Sequence, residues 1–358
     1  MLYSARYKQS YTGERKYIIM KAAVFYGKHD LRIENIEMPK AKNGEVVIKV
    51  MACGICGTDI HIYEGDEGAA KTPRGTVLGH EFSGIVTEVG EGVTEIKVGD
   101  RVCIDPNKLC GSCYYCRNAM GHFCENMIGI GTTVNGGFEE YCAVPQSQVY
   151  KIADTTSFEE AAMAEPVSCC IHGIELCDIK TDDTVVVIGC GMIGLIMLQL
   201  SKISGAARLI AVEPEKEKRI LAESVGAQLC INPFEEDVKA VLRKNGIERV
   251  TKVIECVGRP ETMKQALELA GKKAIVMFFG LTAPDETVGI KPFDIFKKEL
   301  EIKASYINPY TQQKATELID SRRIDVGTMV CEVAELERLP EILADSALRR
   351  KGKIIIRP

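Results

Sequence analysis

The sequence predicts an α/β protein in two parts: a small β-rich domain, followed by a doubly wound parallel sheet. Three observations carry this. The chain has 358 residues, enough for two domains and a sizeable core. From Met20 to about Ala143, short apolar or alternating runs (GEVVIKVMACGI, FSGIVTEVG, DRVCIDP) end at Gly or Asp, as strands do. Further on, Val/Ile-rich runs (TVVVIG, KVIECVG, KAIVMFFGL) alternate with helical stretches (FEEDVKAVLRKNG, PETMKQALELA), the pattern of a parallel sheet.

Composition excludes several classes of function. Hydrophobic content is 46% and charged content 27%, ordinary for a globular chain. A formal charge of −5 without a basic stripe argues against a nucleic-acid partner. The longest uncharged apolar run, 185–200, holds three glycines and falls short of the roughly 20 residues of a membrane helix, so no membrane partner is expected. Fifteen cysteines cannot all pair, and their clustering suggests metal, which points to a reducing cytoplasm.

Residues 1–19 are polar, Tyr-rich and basic, without periodicity. They read as an N-terminal extension, a misassigned start or a disordered tail, in preference to a targeting sequence. The stretch from Cys53 to Glu81 organises the chain. Cys56, His80 and Glu81 offer a thiolate, an imidazole and a carboxylate, a mixture that suits zinc with one position open. Thr58 and His61 lie two and five residues after Cys56, where a hydroxyl and a titratable ring can carry a proton away. Taken singly, Cys56 would be a buried thiol and His80 a core histidine.

Cys110, Cys113, Cys116 and Cys124 come next, with spacing C-x2-C-x2-C-x7-C. Four thiolates can close a tetrahedral zinc shell and leave no open position, so this site reads as structural. An iron–sulfur cluster shares part of the spacing, but no proline follows the last cysteine. His122 reads as a loop residue, and Cys169, Cys170 and His172 as core.

Gly189, Gly191 and Gly194 form GxGxxG between a Val/Ile strand and an apolar helix, with Glu213 nineteen residues after Gly194. That context is a dinucleotide fingerprint: the glycines admit the pyrophosphate, and Glu213 can bond the adenosine ribose. Pro214, not an arginine, follows Glu213.

GICGTDIH followed by GHEFSGIVTEVGEGV, with the four-cysteine lobe and the glycine loop, resembles the zinc-containing medium-chain alcohol dehydrogenases. Within them it is similar to the sorbitol (polyol) dehydrogenase branch. The resemblance runs from Met20 to Pro358. It implies a GroES-like catalytic domain over 20–166 with a structural zinc lobe at about 107–126, a Rossmann NAD-binding domain over 167–305, and a return to the first domain over 306–358. It also implies two Zn²⁺ per chain, an active site between the domains, and a homo-oligomer, tetramer or dimer. By the same resemblance Ile193 and Lys218 join the glycine loop and Glu213 in holding NAD. Phe279, Gly280 and Leu281 border the nicotinamide, and Tyr306, Ile307 and Asn308 close over it. Glu165, followed by Pro, is either the third protein ligand of the catalytic zinc or the group that holds its water, and Glu81 competes for that role. Otherwise Glu81 is the partner of an arginine, and Glu165 a helix N-terminal charge.

The expected reaction is oxidation of a small secondary alcohol, a polyol or diol, to a ketone with hydride transfer to NAD. Two departures put sorbitol itself in doubt: Ile62 stands where that enzyme has an aromatic, and Ser305 where it has an arginine. Threonine and butanediol dehydrogenases are neighbouring readings. A non-catalytic NAD-binding zinc protein is the reading from another class, and the intact Cys56, Thr58, His61 and His80 set argues against it.

Overall fold

The computed structural model describes residues 9–10, 17–66, 71–349 and 352–358. The reading of residues 1–19 as an extension lies mostly outside them. Within that stretch, Gln9–Ser10 pairs with Tyr17–Ile18, and the strand Tyr17–Gly27 begins ahead of Met20.

The chain divides into two compact units. The first takes in the chain to Glu165, with Ala315–Asp320 and Val326–Pro358; the second is Pro166–Lys314 with Ser321–Asp325. The first unit is built on a seven-stranded mixed sheet, in the order Val149–Lys151, Arg101–Ile104, Glu81–Val89, Glu45–Gly54, Lys353–Arg357 and Val330–Glu335, with Tyr141–Pro145 also paired to Glu45–Gly54. Tyr17–Gly27 pairs with Asp30–Glu37 in a smaller sheet. Alternate side chains of these strands, among them Ile48, Phe82, Val86, Ile104 and Ile356, meet Phe138 in one core. Strand Glu45–Gly54 places Gly54 opposite Glu81 on one side and Ile355 on the other. The chain's last strand is thereby brought beside the segment read as metal-binding.

Glu139 is one of several buried polar residues in this unit. It is 1% exposed, and its Oε2 has no hydrogen-bond partner. Burial pushes its carboxyl up to about 8, against a smaller lowering by Cys142. The folded state therefore holds a proton that the unfolded chain releases near pH 4.5. Its contribution to stability is complete below that pH and is lost as pH rises towards 8. Glu139→Gln is expected to remove this slope, so that its urea midpoint exceeds the wild type's by a margin that grows from pH 5 to 8. Parallel curves for the two proteins would show that Glu139 is not the group responsible.

The second unit is a six-stranded, wholly parallel sheet in the order Leu229–Ile231, Arg208–Val212, Thr184–Ile188, Lys252–Glu255, Ile275–Phe278, Glu301–Ala304. Strand Thr184–Ile188 is buried throughout, which its unbroken apolar run requires. Helices Met192–Ile203, Lys216–Ser224, Val238–Lys244 and Pro260–Leu269 connect successive strands. Strand order reverses between Thr184–Ile188 and Lys252–Glu255, the crevice where open α/β sheets take their ligands.

Candidate active site and metal centres

Cys56 is both a candidate ligand and the N-cap of the helix Gly57–Glu64. Its sulfur accepts from the Thr58 amide at 3.5 Å, and Asp59 Oδ2 accepts from the Cys56 amide at 2.9 Å, which completes a capping box. Asp59 is fully buried, and its Oδ1 lies 3.4 Å from His80 Nδ1. The two atoms make an ion-pair contact and neither has a hydrogen-bond partner. Burial works against a charged ring, but Asp59 and the Cys56 sulfur outweigh it and hold the metal-free His80 well above its ordinary pKa.

Strand Glu81–Val89 starts at the third donor. The ligand atoms of Cys56, His80 and Glu81 all lie within 4.8 Å of one another. Glu81 is fully buried; Oε2 accepts from Lys353 Nζ, while Oε1 has no partner. Lys353 Nζ also donates to the Ile55 carbonyl at 2.9 Å. Burial lowers the pKa of Lys353, but Glu81 outweighs it and holds the ammonium above its ordinary range. Gly54 makes the room: a Cβ there would lie 2.6 Å from Lys353 Cε and closer still to Glu81 Oε2. The expected arginine partner of Glu81 is thus a lysine. The donor set, with one carboxylate oxygen unpartnered, fits zinc.

Thr58 lies half-buried in the first turn of the same helix. His61 follows a turn later, 44% exposed, with Nδ1 3.0 Å from Asp66 Oδ2. Ile62 is buried in the core. Glu165 is buried in the first turn of Ala164–Cys177, outside the tight group of three donors. Cys170 is buried, while Cys169 and His172 are only half-buried.

Cys110, Cys113, Cys116 and Cys124 bring their sulfurs within 4.8 Å of one another. Cys110 and Cys116 are 3.9 Å apart, close to the roughly 3.8 Å edge of a zinc–thiolate tetrahedron and far from a disulfide. The amides of Cys113 and Cys110 point at the sulfurs of Cys110 and Cys124, at 3.4 and 3.3 Å. Donors from Ser112 and the Cys113 amide pull Cys110 down to about 5, which favours the thiolate a metal needs. His122 stands in a short turn, its ring centroid 4.1 Å from that of Phe123, outside the sulfur cluster. A mild chelator is expected to strip the Cys56/His80/Glu81 centre first, abolishing turnover while the fold survives. Cys113→Ser is expected to cost stability, because structural metal binding is folding free energy. Mass spectrometry of the active protein checks this: one zinc per fully active chain would refute it.

In the second unit, Gly189 has φ +86° and Gly191 caps the helix Met192–Ile203, with Ile193 half-buried and Gly194 buried. Glu213 is 4% exposed; its two oxygens accept from the Cys190 amide at 2.7 Å and the Glu215 amide at 2.9 Å. Lys218 pairs with Glu215 at 2.9 Å. An arginine does reach this corner: helix Lys216–Ser224 returns Arg219, whose Nη1 donates to the Glu213 carbonyl at 2.9 Å. Phe279 and Gly280 are half-buried and Leu281 is 78% exposed. Tyr306 is exposed, Asn308 is buried beside Gln312, and Ile307 holds φ +46°, a strained value for a β-branched residue.

Among the described residues, no helix is long and apolar enough to cross a membrane. Residues 42–154 match the alcohol dehydrogenase GroES-like domain, and residues 193–321 the zinc-binding dehydrogenase family. The chain is 38% identical to an L-threonine 3-dehydrogenase of Caldanaerobacter subterraneus subsp. tengcongensis, over 75% of this chain and 77% of that one. It is 32% identical to a sorbitol dehydrogenase of Bacillus subtilis, over 94% and 96%. Among solved structures, a zinc-binding-dehydrogenase homologue from Sinorhizobium meliloti 1021, bound to NADP, superposes with TM-score 0.91 at 36% identity, covering 95% of this chain and 99% of that one. The 2R,3R-butanediol dehydrogenase of Bacillus subtilis does so with TM-score 0.86 at 31% identity, covering 95% and 99%. These matches define a dehydrogenase with a GroES-like and a Rossmann-type domain. The chain belongs to the zinc-containing medium-chain alcohol dehydrogenase family.

Proposed function

We propose that the protein oxidises a small secondary alcohol bearing a neighbouring hydroxyl, a diol or polyol, to the ketone with NAD. The observation that carries this reading is the trio Cys56, His80 and Glu81, in which a carboxylate stands beside the thiolate and imidazole. The likeness to sorbitol and butanediol dehydrogenases supports the substrate class. Bound zinc supplies Lewis acidity towards the substrate hydroxyl, and NAD the hydride acceptor. Thr58 Oγ1 would accept the hydroxyl proton as it gives up its own, and His61, half-exposed and held by Asp66, would release a proton to solvent at the end of the relay. Glu165 accepts a hydrogen bond from the neighbouring hydroxyl, or serves as a ligand in exchange with Glu81. Threonine is the second reading, favoured by the 38% identity to a threonine dehydrogenase; it too is a secondary alcohol with a polar neighbour. NADH absorbance on incubation with NAD and a panel of diols, polyols and amino alcohols tests the reading. A protein that reduces NAD with none of them would overturn it.

The adenosine end is held by the glycine loop, Ile193, Glu213 and Lys218, and the nicotinamide end by residues 279–281 and 306–308. Glu213, pinned by two amides, would face the 2′-phosphate of NADP with its charge. Arg219 spends its Nη1 on the carbonyls of Glu213 and Pro214. NAD is therefore expected to exceed NADP in kcat/KM by on the order of a hundredfold, with Glu213→Ser narrowing the gap. The NADP-bound homologue makes the measurement worth doing, and equal values for the two cofactors would refute the role given to Glu213.

None of the fifteen cysteines is in a disulfide, which suits a reducing cytoplasm. A homo-oligomer is supported by the sheet-edge strand Glu301–Ala304, which is largely exposed, and by Phe293 and Phe296 of the preceding helix Pro292–Lys298, 69% and 76% exposed. Antiparallel pairing of two such edges about Ile302 would set Lys303 of each copy against Glu301 of the other.

A further inference from the structure

Glu255 ends the fourth strand of the parallel sheet in chain order, at the point where strand order reverses. It is fully buried. Oε1 accepts from the amides of Val257 at 2.8 Å and Gly258 at 2.9 Å, and lies 2.8 Å from the Thr262 hydroxyl. Its carbonyl accepts from the amides of Phe279 and Gly280, both at 2.9 Å. Oε2 has no partner and lies against Gly280, where a Cβ would sit 2.7 Å away. Two turns, 256–258 and 279–281, are thus tied to one residue. The first also rests on the glycine loop, since a Cβ on Gly189 would lie 2.5 Å from Val257 Cγ2.

We infer that Glu255 is a positioning residue for the nicotinamide half of the dinucleotide, fixing the two turns against which that half binds. The inference rests on the NAD reading above. A doubly wound sheet binds a dinucleotide with one mononucleotide on each half. The glycine loop and Glu213 claim the adenosine half, which leaves the ends of Lys252–Glu255 and Ile275–Phe278 for the other. The carboxylate accepts from two amides of the first turn and from the Thr262 hydroxyl, and charge-assisted bonds hold that turn about twice as strongly as a neutral acceptor would, while the second turn hangs on the backbone carbonyl of the same residue. Glu255 does not touch the cofactor; it sets the backbone that does.

The test compares NADH with ADP-ribose, which lacks the nicotinamide, by titration calorimetry on the wild type, Glu255→Gln and Thr262→Val. Weakening the charge-assisted bonds is expected to lower NADH affinity by roughly tenfold in Glu255→Gln. ADP-ribose affinity should stay within about twofold, since each affinity reports only the contacts its own ligand makes. Thr262→Val, which removes one bond to the same oxygen, should shift NADH in the same direction by less and decides the matter should Glu255→Gln fail to fold. Equal losses for both ligands, or no loss of NADH affinity, would overturn the role of Glu255 while leaving the NAD reading intact. A wild type that binds neither ligand would overturn both.

Discussion

Replacing Lys353 with methionine is expected to cost about 3–5 kcal/mol of stability in the metal-free protein, the usual penalty for leaving one member of a buried ion pair uncompensated. Glu81 is fully buried and Lys353 is 3% exposed, so water cannot take over the lost contact. The methionine fills the space but donates nothing to Glu81 or to the Ile55 carbonyl. Adding Glu81→Leu to the same chain should recover most of the loss, because removing both charges also removes the desolvation they cause. Lys353→Arg should fall between, since Gly54 leaves room matched to an ammonium. Urea unfolding of the wild type, Lys353→Met, Glu81→Leu and the double variant closes the cycle. A double variant whose loss equals the sum of the two single losses would show that the pair is not coupled.

The second large effect concerns the substrate. Diols or polyols are expected to exceed ethanol by roughly a thousandfold or more in kcat/KM, because a site built to bond hydroxyls leaves its own polar groups unpaired when they are missing. Glu165 and Glu81 are both buried carboxylates, and Lys353 offsets the charge of the second. On the reading proposed above, a substrate with one hydroxyl would not engage Glu165. Kinetics on ethanol, 2-propanol, 2,3-butanediol, xylitol, sorbitol and threonine separate the cases. Ethanol as the best of these would remove the carboxylate argument altogether, whereas threonine as the best would select the second reading.

Residues that act through near neighbours were legible in the sequence. The four cysteines close their shell over fifteen residues, and the glycine loop is a strand, a turn and a helix in succession, so spacing alone reports them. Asp59 left a faint signal, an acid three residues after Cys56 at the capping-box position. Lys353 left none. Its meeting with Glu81 depends on Lys353–Arg357 pairing with Glu45–Gly54, and no local pattern reports a pairing between segments so distant. Glu255 was hidden in another way. In KVIECVG it reads as one polar residue in a buried strand, and its role appears only when the turns of two strands fold over it. Arg219 was missed because sequence adjacency to Glu213 was the wrong measure; one turn of helix brings it back.

The separation of Lys353 from Glu81 bears on how the protein is made. The residues are 272 positions apart, while Cys110 and Cys124 are only 14 apart. A ribosome adding about 5–20 residues per second needs a time on the order of tens of seconds between making Glu81 and making Lys353. The four-cysteine lobe has all its donors almost as soon as it leaves the exit tunnel. The Cys56 centre has its donors early too, but its carboxylate then lacks the counter-charge that later buries with it. For that period the nascent chain holds the donors of both sites but not the lysine that pairs with Glu81. The counter-charge of Glu81 is thus made last, after every donor of both sites.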